Sequence, residues 1–224
     1  MARSSNGKLR FVLGFGLFFA ALWLLWNTPI VYPLKIFVVL LHEISHAIAV
    51  VATGGTLDAI TLDPYQGGAT HFRGGSAFVA LNAGYLGSLA WGGLLFTAAQ
   101  TRWIRPDWVN GTVGALVILL TVFLVRSPFG IVFGILFGLA MVVASREVGK
   151  TMNRRLLLVL GLTSALYAIL DIKSDVIDRP DLTQSDAAVL ADMLGVPTLF
   201  VGVVWIAIAL AFSAWLLKRA WDEA

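Results

Sequence analysis

The chain has 224 residues, 58% of them hydrophobic and only 13% charged, whereas a soluble domain averages about 45–50% apolar and about 25% charged residues. A water-soluble fold of this size would have to expose much of that excess, whereas a bilayer calls for spans of about 20 apolar residues nearly free of charge. The net charge of +3 comes from Lys and Arg in the tails and loops, with no basic stripe interleaved with aromatics, so nucleic acid is not an expected partner. With no cysteine, disulfides, Cys-ligated zinc and iron–sulfur clusters are excluded, and a metal here must use His and carboxylates.

At the start, charged residues up to Arg10 precede an apolar run to Trp26, the order of a secretory signal peptide. Bulky Trp23, Leu24, Leu25 and Trp26 occupy the place of a small-residue cleavage site, so a retained first span is expected. Apolar stretches then mark candidate spans at 11–31, 33–52, 77–99, 109–125, 129–144, 156–170 and 198–217. Only Arg126, Ser127 and Pro128 separate the fourth from the fifth, which makes the count six or seven. Pro33, Pro128 and Pro197 sit at or near first turns, where the missing N–H costs nothing. Gly130, Gly134 and Gly138 recur every four residues in the fifth span and allow a neighbouring helix to approach closely.

Two segments are not spans. Residues 54–75 hold a β-like run at 56–62, the turn Asp63-Pro64-Tyr65-Gln66-Gly67-Gly68 and a second run at 69–73, and read as a hairpin. Residues 172–197 read as an acidic loop, since six of the ten Asp in the chain fall between Asp171 and Asp192. The expected fold class is therefore an all-α integral membrane protein with six or seven transmembrane helices and a short β-hairpin after the second, forming a single membrane-embedded domain over 1–224. Lys and Arg divide almost evenly between the two sides of such a topology and set no orientation.

Chemistry concentrates in the second span, which contains His42-Glu43-Ile44-Ser45-His46, an H-E-x-x-H pattern inside an apolar helix. Histidines at i and i+4 share one helical face, so both imidazoles can reach a single Zn²⁺, with Glu43 as general base for the attacking water. Ionisable groups at membrane depth cost a few kcal/mol or more each, so three of them within five residues point to a functional site. A catalytic zinc needs a third protein ligand and an open position. Asp171, closing the sixth span, is the expected third ligand, and Asp175 one turn later points the same way. His71 in the hairpin reads as a surface residue. A reading from another class, a non-catalytic membrane protein that holds a metal for transport or as a structural tie, fits the same ligands, but the related halves expected of a transporter are not visible.

These residues resemble the site-2-protease type of intramembrane zinc metalloprotease, in particular its small bacterial members without extra domains. The resemblance rests on Leu41–Ala47, on the hairpin at 54–75, on Ala83–Ser88 in the third span, where Tyr85 replaces the family's usual Pro, and on Leu170-Asp171, where Ile172 follows in place of the usual Gly. It implies His42, His46 and Asp171 as zinc ligands, Glu43 as catalytic base, a multi-pass location in a bacterial cell membrane, a membrane-protein substrate cut in or near its transmembrane segment, and a regulatory membrane partner. A helical substrate must unwind before its peptide bond can react, and either strand of the hairpin could receive it as an added strand.

Overall fold

The structure, a computed structural model, describes residues 5–26, 28–173 and 185–223. Its elements in chain order are α1 (Ser5–Leu25), α2 (Tyr32–Ala52), β1 (Thr56–Leu62), β2 (Gly68–Arg73), α3 (Ala77–Gln100), α4 (Pro106–Leu124), α5 (Pro128–Glu147), α6 (Lys150–Lys173), α7 (Asp186–Leu194) and α8 (Thr198–Glu223). Among the described residues, five helices, α2, α3, α4, α5 and the Thr198–Arg219 part of α8, are long and apolar enough to cross a membrane. The two further expected spans correspond to α1 and to α6, which starts among Lys150, Arg154 and Arg155. The run expected to hold one broken helix or two holds two, α4 and α5, joined through Val125, Arg126 and Ser127.

α2 is the centre of the fold. Residues from Lys35 to Ala47 are buried without a break, and Ile36, Phe37, Val38 and Leu40 have no exposed surface. Phe37 stacks on Phe137 of α5 at 4.8 Å between centroids, and Leu157 and Tyr167 of α6 join the same core. Elsewhere, helices meet through small residues, as close approach between membrane helices requires. A Cβ on Gly114 would lie 2.6 Å from the carbonyl oxygen of Gly138, and one on Gly92 would lie 2.7 Å from that of Gly161, so α4 meets α5 and α3 meets α6 at backbone distance. The glycine repeat in α5 is thus a packing device, as its spacing suggested.

β1 and β2 form an antiparallel hairpin whose register runs from Thr56↔Arg73 to Leu62↔Gly68, with a bulge between Leu57 and Ala59. The hairpin lies along α2. At its base, a Cβ on Gly55 would fall 2.7 Å from Val50 Cγ1, while near its tip the Tyr32 hydroxyl donates to the Pro64 carbonyl at 2.8 Å. The outer edge of β1 is taken. Arg126 N–H donates to the Ile60 carbonyl (2.9 Å), Leu62 N–H donates to Ser127 Oγ (2.8 Å), and Ile60 bridges to Val125. In an antiparallel ladder, residues whose backbone groups point outward alternate with those that pair inward. Asp63 N–H donates inward to the Gly67 carbonyl, which leaves Gly68 and Thr70, opposite Leu62 and Ile60, pointing outward from β2. Among the described residues, no backbone hydrogen bond reaches that edge.

Candidate metal and catalytic site

The motif helix delivers the geometry that its spacing implies. The His42 and His46 rings meet edge to face with centroids 4.6 Å apart, and both residues are buried. His46 Nδ1 lies 2.7 Å from the Ala80 carbonyl at the start of α3, and because a carbonyl only accepts, Nδ1 carries the proton. In the neutral ring, Nε2 then presents a lone pair. This is the outer-shell contact that fixes the tautomer of a metal-binding histidine.

That lone pair faces a carboxylate. Asp186 Oδ2 lies 2.9 Å from His42 Nε2 and 3.0 Å from His46 Nε2. When both rings are protonated, burial still pushes the Asp186 carboxyl up, but their hydrogen bonds and charge outweigh it and hold the group below the usual carboxylate range. An anionic oxygen against an imidazole lone pair is repulsive unless a proton or a cation sits between them. His42, His46 and Asp186 offer three ligand atoms within 4.8 Å of one another, and tetrahedral zinc with bonds of about 2.1 Å places its ligand atoms a little over 3 Å apart. The donor set therefore fits a divalent metal ion. Gly84 keeps the space open, since a Cβ there would fall 2.6 Å from His46 Nε2 and closer still to His42 Nε2. Gly84 lies in the segment 83–88 expected to pack near the site, and the Tyr85 ring meets His42 edge-on at 4.8 Å.

Asp171, the expected third ligand, lies in the last turn of α6, and its side chain falls outside the described residues, as does Asp175. The carboxylate that the structure does bring to the histidines, Asp186, was read only as part of the acidic loop. It opens α7, a nine-residue helix capped by Ser185, whose Oγ accepts from Ala188 N–H at 3.2 Å, and stopped by Gly195 at φ 67°. Ala187, Leu190 and Ala191 of α7 pack with Tyr85, Val201 and Trp205, and Trp205 Nε1–H donates to Asn82 Oδ1 at 2.8 Å. α3 and α8 thus hold Asp186 in place. The Ser cap, the apolar residues behind it and the terminal Gly were the signals that could have marked this helix in the sequence.

Glu43 points to the other side of the cluster and is 4% exposed. Thr70 Oγ1 lies 2.8 Å from its Oε2, and a Cβ on Gly68 would fall 2.6 Å from its Oε1, so β2 forms the wall against which this carboxylate rests. His71 lies beside Thr61, with Nε2 3.1 Å from that hydroxyl, and belongs to the exposed face of the hairpin as expected. A cavity of about 610 Å³ opens between β2, α3 and α7, with His42, Glu43, His46, Thr70, Tyr85 and Asp186 in its walls.

Five long apolar helices among the described residues, and a cluster of two buried histidines and the half-buried Asp186, define an integral membrane protein with a site able to hold a metal. The chain belongs to the Peptidase M50B-like family, which matches residues 15–216 and so takes in the whole site. The resemblance seen in the motif helix is thereby shown over nearly the full length, and the protein is a peptidase by family. No curated protein and no solved structure matches the chain.

Proposed function

We propose that this protein is an intramembrane zinc metalloprotease of the site-2-protease type, hydrolysing peptide bonds in or near transmembrane segments of other membrane proteins. One observation carries the reading: two imidazole Nε2 atoms and the Asp186 carboxylate converge at 2.9 and 3.0 Å, one helical position from a buried Glu43 that faces an open cavity. We assign the third ligand to Asp186 rather than Asp171 on that contact. Zinc held there would supply Lewis acidity toward the scissile carbonyl and the attacking water. Glu43 takes the proton of that water and passes it to the leaving amine. Thr70 and Gly68 fix which way the Glu43 carboxylate turns, and Ala80 fixes the His46 ring. A metal transporter or a structural tie would have no use for a base held beside the cluster in this way.

The hairpin gives the substrate a place to unwind. An extended segment can pair with the outward groups of Gly68 and Thr70 and so replace the helical hydrogen bonds that it gives up. β1 is not the receiving strand in this reading, because the 125–127 linker already occupies its edge. The deciding experiment compares membranes holding the wild-type protein or Glu43→Gln, with and without a chelator. A membrane-protein fragment that appears only with the wild type and no chelator is expected. Equal fragment patterns in all arms would overturn the reading.

A further inference from the structure

The two histidines of the motif lean on different parts of α3. His46 donates from Nδ1 to the Ala80 carbonyl at 2.7 Å. His42 meets the ring of Tyr85, which stands nearly perpendicular to it, at 86° with 4.8 Å between centroids. The torsion that turns an imidazole about its own axis has broad minima, so a ring packed against its face or edge decides where it settles. Only one setting sends His42 Nε2 toward the Asp186 carboxylate 2.9 Å away. Whatever fixes Tyr85 therefore helps to fix His42.

Tyr85 is backed by Trp205 of α8. The two rings lie 4.8 Å apart between centroids, tilted at 41°, and are 3% and 2% exposed. Trp205 also reaches one turn back along α3, where its Nε1–H donates to Asn82 Oδ1 at 2.8 Å. An indole N–H only donates, so the Asn82 amide turns its oxygen to Trp205, while its Nδ2 donates to the Phe78 carbonyl at 2.8 Å. Asn82 and Tyr85 share one face of the helix, and a single indole thus grips α3 at two points. Because Trp205 is buried, losing the Asn82 oxygen would leave its N–H unpaired, which ties the indole to this one position.

The same indole stands behind the third member of the cluster. Tyr85 and Trp205 share a buried core with Ala187, Leu190 and Ala191 of α7, the helix that Asp186 opens.

We propose that Trp205 is a positioning residue of the metal centre: locked to Asn82, it holds the Tyr85 ring against His42 and so sets the direction in which His42 Nε2 points. The inference rests on the metalloprotease reading for the ion and deepens it, because the last span then shapes a ligand carried by the second.

Zinc affinity and the visible spectrum of the cobalt(II)-loaded protein test this without turnover, since both report how the ligands are held. Trp205→Phe keeps a ring and drops the N–H, and Asn82→Leu keeps the volume and drops the acceptor. Each is expected to weaken zinc about 10-fold, the low end of what loss of an outer partner costs, and to shift the cobalt bands. The double variant should lose no more than the worse single one, because both remove the same contact. Tyr85→Phe keeps the ring and should stay close to the parent, while Tyr85→Leu should fall with Trp205→Phe. Leu216→Ala, in a separate core of α8 with Phe96, lowers thermal stability and should leave zinc affinity unchanged. Thermal unfolding shows that each variant is folded. Parent-like zinc affinity in Trp205→Phe and Asn82→Leu would overturn the positioning role, as would an equal loss in Leu216→Ala or a Tyr85→Phe protein as weak as Tyr85→Leu. Those outcomes leave the metal centre standing. A parent chain that takes up neither zinc nor cobalt overturns the metalloprotease reading, and the positioning role with it.

Discussion

Thr70 shares its one hydroxyl proton between two acceptors of Glu43, Oε2 at 2.8 Å and the backbone carbonyl at 3.0 Å. The base is therefore oriented from the hairpin and not from its own helix. Thr70→Val keeps the shape and removes the hydroxyl, and is expected to lower kcat by about 10- to 100-fold, the usual cost of losing a group that orients a catalytic one. Thr70→Ser should restore most of the rate. Zinc content should be the same in all three proteins, and a Thr70→Val enzyme with full kcat would remove Thr70 from the mechanism.

The third ligand is decided by metal content. Asp186→Ala is expected to weaken zinc binding by more than the roughly 10- to 100-fold that loss of an outer partner costs, because its carboxylate oxygen touches both Nε2 atoms. Asp171→Ala should leave the affinity close to that of the parent. Competition with a zinc-sensitive dye measures both, and the reverse order would return the role to Asp171.

Gly84 tests the same centre without touching a ligand. A methyl group at this position would occupy the space in front of both histidines, so Gly84→Ala should lose metal while all three ligands remain. Ala80, one turn before Gly84 on α3, holds His46 through its carbonyl, so a shift of this helix would also move that ring. Normal zinc content in Gly84→Ala would show that the ion sits elsewhere.

Hydrogen exchange distinguishes the two strands. A bound extended peptide should slow exchange at the outward amides of β2, Gly68 and Thr70, and leave β1 unchanged, because Leu62 N–H is already bonded to Ser127. The measurement uses Glu43→Gln protein so that the peptide stays whole. Protection confined to β1 would reverse the assignment.

Much of this was legible before any coordinates. The i, i+4 pair in α2, the hairpin within one residue of its strand ends and the small-residue contacts of α5 all follow from local spacing, which a sequence displays directly. Asp186 was not legible as a partner of the two histidines because their contact depends on α7 docking against α3 and α8, a contact between distant parts of the chain that leaves no periodic trace. The occupied edge of β1 is of the same kind: nothing in Val125, Arg126 or Ser127 announces that they will border a strand more than sixty residues earlier. Among the described residues, five helices meet the length and hydropathy expected of a span, and α6 differs from them in its charged start.

His42 and Asp186 stand 144 positions apart in the chain. Synthesis therefore makes the two imidazoles and Glu43 long before the carboxylate that meets them. Until Asp186 follows, the two Nε2 atoms have no carboxylate from α7 beside them.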